Sequence, residues 1–238
     1  MFHYLKKLSQ WWLPHTCILC GNLTHSLQDL CSACKLDLPI LTQSCQRCAN
    51  VLTTNINGLI CGQCIHQPPP FDYTHSLFLY QPPVTHLIRQ LKFSQKLLHA
   101  RLLGELLAEK ICSEWYQNKS LPTVIIPIPL HPKRLQTRGF NQALEIARPI
   151  AKQLKLPIIT RGFSRIKPTL AQATLPSTER RKNIRQAFAI NYKVENQAIA
   201  VIDDIVTTGN TIREFCSLLK KNGAARIDVW CCARPNPK

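Results

Sequence analysis

The stretch from Ile199 to Thr211 reads IAVIDDIVTTGNT and contains the residues best suited to chemistry. Its four apolar residues, 199–202, predict a short buried strand, and Asp203 and Asp204 follow at the carboxyl end of that strand. A loop of small hydroxyl residues and one glycine then leads into a helix with apolar periodicity. Ligands of open α/β sheets bind at the carboxyl ends of strands, and a helix N-terminus suits a phosphate. We therefore expect a phosphorylated ligand on Asp203, Asp204, Thr207, Thr208, Gly209, Asn210 and Thr211.

The two carboxylates can accept hydrogen bonds from sugar hydroxyls or face a magnesium ion that the ligand holds. Gly209 lets the backbone approach a phosphate closely. This stretch resembles the phosphoribosyl-pyrophosphate (PRPP) loop of type I phosphoribosyltransferases, because the apolar strand, acid pair, T-T-G-x-T and helix occur in the same order. The alternative is a strand–turn–helix in which Asp and Thr merely cap the helix.

The first 64 residues contain eight cysteines, all of them in C-x-x-C pairs. Each pair offers two sulfurs to one tetrahedral ion, so four pairs predict two structural zinc sites. Segment 15–66 has little apolar material, and metal binding would supply its folding energy. Sequential pairing of the C-x-x-C motifs closes the shorter loops and is slightly favoured, while interleaved pairing stays open. The expected zinc ligands are Cys17, Cys20, Cys31, Cys34, Cys45, Cys48, Cys61 and Cys64.

The chain has 12 cysteines, and its N-terminus lacks the pattern of an export signal. This combination favours metal binding over disulfides and predicts a cytoplasmic protein. No run of about 18 apolar residues occurs, so no membrane span is expected. Four further cysteines are predicted to be small core residues, namely Cys112, Cys216, Cys231 and Cys232.

The charge balance is strongly basic, with 30 Lys and Arg against 13 Asp and Glu and a formal net charge of +17. Such a chain favours a polyanionic partner, which can be nucleic acid, a phosphorylated ligand or both. A basic protein that simply stays soluble is the alternative.

Gln67 and the three prolines after it can continue neither a helix nor a central strand, so we place a domain boundary there. We expect a zinc-ribbon module at 1–67 and a second domain at 71–238. Strands alternate with helices in the second domain, which predicts an α/β fold with a parallel sheet covered on both faces. Pro149 should kink its helix or delay its start. Predicted strands are 72–80, 123–129, 187–190, 199–202 and 226–233, and predicted helices are 84–93, 97–116, 141–154 and 211–221.

A second candidate site follows the predicted strand 123–129. Residues 130–142 are expected to form a basic loop at the same sheet edge as the acid pair, where its cations could meet a pyrophosphate or a nucleic-acid backbone. Another basic patch occurs farther on, and a solvated loop is a reasonable interpretation for about half of its cations. The cations concerned are Lys133, Arg134, Arg138, Arg180, Arg181, Lys182 and Arg185.

Taken together, these segments resemble the ComF family, which joins an N-terminal double zinc ribbon to a phosphoribosyltransferase-like domain. The likeness covers nearly the whole chain. It implies a cytosolic bacterial protein associated with natural transformation, where imported single-stranded DNA is handled, and a phosphoribosyl ligand site. Beyond the C-x-x-C pairs, it rests on L-K-F at 91–93, P-I-P-L and R-G-F-N-Q within 127–142, T-x-x-Q at 169–172, R-x-x-N-x-x-x-A-F at 180–188 and V-I-D-D-I-V-T-T-G-N-T at 201–211.

Three functions are consistent with these residues. The leading hypothesis is a competence-associated protein that binds PRPP with Mg²⁺ and also binds single-stranded DNA. The first alternative is an active phosphoribosyltransferase of nucleotide salvage, in which Lys133 and Arg138 would face the leaving pyrophosphate. The second alternative is an adaptor whose zinc ribbon bridges helicase or DNA-uptake partners. No residue identifies an acceptor base.

Overall fold

The computed structural model describes residues 15–24, 26, 28–52, 59–167 and 186–236. Its strands in this part of the chain are β1 (His15–Thr16), β2 (Leu23–Thr24), β3 (Tyr73–Leu79), β4 (Val124–Pro127), β5 (Phe163–Arg165), β6 (Phe188–Ile190), β7 (Ala198–Ile205) and β8 (Arg226–Arg234). Its α-helices are α1 (Ser32–Leu36), α2 (Gly62–His66), α3 (Val84–Ser94), α4 (Leu97–Lys110), α5 (Pro132–Arg138), α6 (Gln142–Leu154) and α7 (Asn210–Lys221), and a π-helical turn covers Ile111–Trp115.

A four-stranded sheet with the order β3-β8-β7-β4 forms the centre of the fold, and all its neighbouring strands are parallel. Residues 199–202 of β7 are fully buried, as expected for a central strand covered on both faces. Helices α3, α4 and α6 pack on one face, and α7 packs on the other together with β5 and β6. The predicted α/β architecture is therefore confirmed.

Two local expectations were wrong. Strand β7 does not end at Ile202 but continues through both acids to Ile205, because Asp203 and Ile205 still pair with β8. Residues 130–142 are not all loop, because Pro132 occupies the first turn of α5 and His131 caps that helix. Of the two effects expected from Pro149, the delayed start is excluded, because helix α6 begins at Gln142 and includes Pro149; the kink stays a prediction.

The expected burial of the four additional cysteines holds for three of them. Cys216, Cys231 and Cys232 are buried, whereas Cys112 is exposed. Cys112 lies in the π-helical turn that extends α4. Because a π-turn has a wider period than an α-helix, α-helical spacing assigns the wrong face to the residues that follow Lys110.

The N-terminal cysteine-rich region packs directly against the edge strand β3. The Leu41 N–H donates to the Leu77 carbonyl at 2.9 Å, and the Leu79 N–H donates to the Pro39 carbonyl at 2.8 Å. Leu30 and Leu38 join the same apolar cluster as α3 and α4. These contacts fix the cysteine-rich region to the sheet through both backbone and apolar packing. Among the described residues, no helix is both long and apolar enough to cross a membrane.

Candidate functional site

Eight cysteines form two compact groups of four sulfur atoms. The first cluster is Cys17, Cys20, Cys31 and Cys34, and the second cluster is Cys45, Cys48, Cys61 and Cys64; within each, the sulfurs all lie within 4.8 Å of one another. A tetrahedron of sulfurs at about 2.3 Å from zinc has edges of about 3.8 Å. The Sγ atoms of Cys20 and Cys31 are 3.8 Å apart, and those of Cys48 and Cys61 are 3.6 Å apart. The residues therefore fit two four-thiolate zinc sites, and their sequential pairing confirms the favoured prediction.

The two clusters use the same backbone turn. The Cys17 N–H donates to the Asn22 carbonyl at 2.8 Å, and the Cys45 N–H donates to the Asn50 carbonyl at the same distance. The residue before each asparagine has a positive φ, which is 76° at Gly21 and 55° at Ala49. Alanine rarely adopts this conformation. The second cluster thus has an alanine, Ala49, at the positive-φ position where the first cluster has a glycine, Gly21.

A cavity of about 460 Å³ opens at the carboxyl ends of β4 and β7. It lies between α3, α5, the start of α6 and the loop that leads into α7. Its polar lining consists of Lys92, Arg134, Thr137, Arg138, Asn141, Gln142, Asp203, Asp204, Thr207, Thr208, Asn210 and Thr211. We call residues 207–211 the Thr loop, and we call Lys133, Arg134 and Arg138 the first basic cluster. The structure thus brings the acid pair, the Thr loop and part of the first basic cluster around one space.

The acid pair is placed by the last residues of β7. Asp204 is buried and forms an ion pair with Lys92, which reaches it from α3. Asp203 is half-buried, and its Oδ1 accepts a hydrogen bond from the Asp204 N–H at 2.9 Å. Burial raises the pKa of Asp203 well above its usual value, and the neighbouring Asp204 raises it further. Burial alone would lower the pKa of Lys92, but the charges of Asp204 and Asp203 outweigh it and raise that pKa.

The Thr loop connects β7 to α7. Gly209 has φ +74° and stands immediately before the first helical residue, Asn210. The N-cap residue Gly209 has no side chain that could cap the helix, and the first intrahelical bond runs from the Arg213 N–H to the Gly209 carbonyl. The exposed Thr207 and Thr208 lie beside these backbone donors. Hydroxyls and a helix N-terminus together form a cradle suited to a phosphate.

The first basic cluster is divided by the helical geometry of α5. Arg134 and Arg138 are four residues apart and both line the cavity, whereas Lys133 is exposed and is not among the cavity residues. The Arg138 guanidinium also lies 5.8 Å from the ring centre of Phe93. The second basic cluster consists of Arg180, Arg181, Lys182 and Arg185. Together with the T-x-x-Q segment at 169–172, it lies outside the described residues.

Sequence reasoning gave no site role to several residues that line the cavity. Lys92 and Phe93 come from α3, more than 100 residues before the acid pair, and only their L-K-F motif signalled them. Asn141 caps α6, and its Nδ2 donates to the Ile128 carbonyl at 2.9 Å, which fixes this segment to the end of β4. Gln142 is 3% exposed, and its Nε2 has no hydrogen-bond partner among the described residues. A buried amide without a partner at a cavity wall is what a polar ligand would satisfy.

Family comparisons agree with this arrangement. Residues 8–65 match the double zinc ribbon domain, and residues 100–237 match the phosphoribosyl transferase domain. Fold and site therefore define a phosphoribosyltransferase-like protein with an N-terminal double zinc ribbon.

Similarity to curated proteins extends along nearly the whole chain. The DNA utilization protein YhgH of Salmonella typhi is 33% identical over 93% of this chain and 98% of its own length. Competence protein F of Haemophilus influenzae is 33% identical over 92% of this chain and 96% of its own length. The chain thus belongs to the ComF family.

Solved structures that match part of the chain include a purine phosphoribosyltransferase from Pyrococcus horikoshii. It is 19% identical, has a TM-score of 0.34, and is matched over 56% of this chain and 70% of its own. Glutamine PRPP amidotransferase from B. subtilis is 20% identical, with a TM-score of 0.35 and coverage of 56% of this chain and 25% of that one.

Proposed function

We propose that this protein binds PRPP with Mg²⁺ in the cavity at the carboxyl edge of the sheet, and that single-stranded DNA binds at the rim of the same cavity. The observation that carries the proposal is the convergence of an acid pair, a phosphate cradle and three cations on one space. In this account the protein acts in the cytoplasm during DNA uptake or utilization. The zinc ribbons (1–67) support the phosphoribosyltransferase-like domain (71–238).

Each part of PRPP has a matching group in the cavity. The hydroxyls and backbone N–H groups from Thr207 to Thr211 would hold the 5′-phosphate at the start of α7. Asp203 and Asp204 would accept hydrogen bonds from the ribose hydroxyls. Mg²⁺ bound with PRPP would supply positive charge to the pyrophosphate through oxygen ligands. Arg134 and Arg138 would contact the same pyrophosphate.

Lys92 has a defined part in this binding. It neutralises the buried Asp204 carboxylate in the absence of PRPP. An unpaired buried carboxylate would be costly, so this ion pair compensates the burial of Asp204. Lys92 would then share its charge between Asp204 and the pyrophosphate.

The proposed DNA surface is the rim formed by the end of α3 and by the face of α5 that carries Arg134 and Arg138. Phe93 is 73% exposed at this rim, beside the Arg138 guanidinium. An exposed aromatic ring next to cations is the combination that stacks bases and tracks a phosphate backbone. The net charge of +17 supports a polyanionic partner, and the relatives named for competence and DNA utilization agree with this role.

A melting experiment with PRPP tests the first half of the proposal. PRPP with Mg²⁺ should raise the melting temperature, because a ligand that binds only the native state stabilises it by mass action. Replacing both acids, Asp203→Asn with Asp204→Asn, should abolish this shift while the zinc content stays at two ions per chain. If the double variant responds to PRPP like the parent, Asp203 and Asp204 are not part of the PRPP site.

DNA binding at several salt concentrations tests the second half. Arg134→Ala and Arg138→Ala should each weaken binding of any single-stranded oligonucleotide and reduce the salt slope by roughly one unit for each phosphate that the variant no longer binds. Lys133→Ala is the matched control, because it removes a cation from the same helix but outside the cavity. Saturating PRPP should also weaken DNA binding, with the reciprocal effect of DNA on PRPP. Equal DNA affinity with and without bound PRPP would refute a shared site.

A further inference from the structure

Arg234, the last residue of β8, joins two parts of the molecule that lie far apart in sequence. Its side chain is buried, with 5% of the residue exposed. Its Nε donates to the Asn50 Oδ1 at 2.9 Å, and its Nη2 donates to the same oxygen. Its Nη1 donates to the Val206 carbonyl at 3.1 Å. One guanidinium thus holds an asparagine side chain on one side and a backbone carbonyl on the other.

The asparagine end belongs to the second zinc cluster. The Asn50 carbonyl accepts the Cys45 N–H at 2.8 Å, so the residue that bonds Arg234 also closes the turn around two zinc ligands. The same turn is fixed to the sheet at Thr74, whose hydroxyl donates to the Arg47 carbonyl at 2.8 Å. The position of the Asn50 amide therefore depends on the integrity of this zinc turn.

The carbonyl end belongs to the proposed phosphate cradle. Val206 lines the cavity and directly precedes Thr207. Its N–H donates to the Ala233 carbonyl at 3.2 Å, while its carbonyl accepts from Arg234. Both backbone groups of Val206 are therefore held by the end of β8. This anchoring fixes the point at which the chain leaves the sheet to form the Thr loop.

All three of these Arg234 hydrogen bonds are made to neutral oxygens. Arg234 thus supports the start of the cradle through Val206 without lining the cavity itself.

The first zinc cluster is joined to the body of the protein elsewhere. Asn22 occupies the position equivalent to Asn50 and is exposed. Its cluster packs on the main apolar core through Cys17, and it forms two ion pairs at α4, where Lys35 pairs with Glu109 and Asp29 pairs with Arg101. Neither ion pair includes a residue of the cavity. A substitution at Asn22 can therefore serve as a control for the same substitution at Asn50.

We propose that Arg234 is a positioning residue that couples the second zinc cluster to the PRPP site, so that PRPP affinity depends on the zinc turn at Asn50. The proposal rests on the proposed function, because it assigns a regulator to that same site. By reciprocity, bound PRPP stabilises the second zinc cluster by the same factor. Loss of zinc from that cluster, by chelation or thiol oxidation, then lowers PRPP affinity.

A pair of matched substitutions tests the coupling. Asn50→Ala removes the amide that bonds Arg234, and Asn22→Ala removes the equivalent amide of the first cluster. We expect Asn50→Ala to weaken PRPP binding by about fivefold or more, the lower range of ordinary coupling, while Asn22→Ala leaves it unchanged. PRPP affinity is measured by calorimetric titration with Mg²⁺, and metal analysis verifies two zinc ions per chain in both variants. Equal PRPP affinity of the two zinc-loaded variants would overturn the proposal.

A second measurement needs no PRPP and separates this proposal from the function on which it rests. Amide hydrogen exchange of residues 206–212 should be faster in Asn50→Ala than in Asn22→Ala. If Asn50→Ala fails to fold, Arg234→Lys replaces it in the experiment. This variant keeps the positive charge but loses the forked guanidinium donors, and it should show the same faster exchange. If the parent protein binds no PRPP but this exchange difference is present, the proposed function fails and the structural coupling stands. If PRPP binds and the exchange is equal in all variants, the coupling fails and the proposed function stands.

Discussion

The two zinc clusters share one turn geometry but differ in what they hold in place. The first cluster contacts the surface of α4 through ion pairs such as Lys35–Glu109, whose side chains are both more than 40% exposed. The second cluster contacts the sheet through hydrogen bonds that are partly buried, and Arg234 also bonds the Val206 carbonyl at the start of the Thr loop. Sequence repetition therefore does not imply equal roles. The first cluster is joined to the body by apolar packing, which includes the buried Cys17, and by exposed ion pairs. The second cluster is joined to the strand that supports the candidate site.

The largest expected difference concerns loss of the metal itself. Cys20→Ser and Cys48→Ser remove the second cysteine of the first C-x-x-C pair of each cluster, and each should reduce zinc from two ions to about one per chain. Because structural zinc contributes folding energy of about 10–16 kcal/mol, the affected turn should lose its fixed geometry. Only Cys48→Ser should abolish the PRPP-induced shift in melting temperature. Metal analysis and melting curves check this, and a matching loss in Cys20→Ser would erase the distinction between the clusters.

Asp203→Asn changes a carboxylate of the PRPP site itself and leaves the second zinc cluster unchanged. The folded-state pKa of Asp203 is raised, so its carboxyl stabilises the fold below its unfolded pKa and this contribution is lost as pH rises through the folded pKa. The neutral asparagine should therefore raise the melting temperature without PRPP at pH 7, and the gain should shrink as the pH is lowered. The same variant should bind PRPP more weakly. Melting curves recorded from acid to neutral pH check this. A variant that melts at a lower temperature than the parent at pH 7 would contradict the raised pKa of Asp203.

A third prediction compares the attachments of the two clusters to the body. Thr74→Val removes the hydroxyl of a residue that is 3% exposed and leaves the Arg47 carbonyl without its donor, which should cost about 1–3 kcal/mol of unfolding free energy. Lys35→Ala removes a half-exposed ion pair and should cost about 1 kcal/mol or less. Denaturant unfolding of both variants measures this difference. A larger loss in Lys35→Ala would place the stronger attachment at the first cluster.

The smallest predicted effect concerns the shared turn. Gly21→Ala introduces at the first cluster the residue type that the second cluster already has at Ala49. A Cβ at Gly21 would meet no atom within 4 Å among the described residues, so only the backbone conformation opposes it. We expect a cost of about 1 kcal/mol and full zinc occupancy, measured by melting and metal analysis. Loss of zinc from this variant would show that the two turns tolerate different residues.

Much of this arrangement follows from the sequence, because it depends on local order. The Cys pairs, the apolar strand before Asp203 and the glycine before α7 each define their own geometry within a few residues. The sheet edge then follows from the parallel order of the strands. The α5 helix was missed because Pro132 was interpreted as part of a loop, although proline is favoured in the first turn of a helix.

The long-range contacts lay beyond sequence reasoning for a physical reason. Lys92 reaches Asp204 across 112 residues of chain, and Arg234 reaches Asn50 across 184. No periodicity or spacing specifies such pairs, because they result from how α3 and the zinc turn pack on the sheet. The same holds for Gln142, whose amide lacks a partner among the described residues and is evident only from its burial.

The most direct test of the account measures both clusters in one intact protein. The native chain is treated with a zinc chelator and a thiol-alkylating reagent in the presence of Mg²⁺, with or without PRPP, and mass spectrometry follows labelling of each cysteine over time. Free Mg²⁺ is held equal in both arms. We predict that PRPP slows labelling of the second cluster, Cys45, Cys48, Cys61 and Cys64, and leaves labelling of the first cluster, Cys17, Cys20, Cys31 and Cys34, unchanged. Equal rates with and without PRPP in both clusters, or equal protection of both, would contradict it.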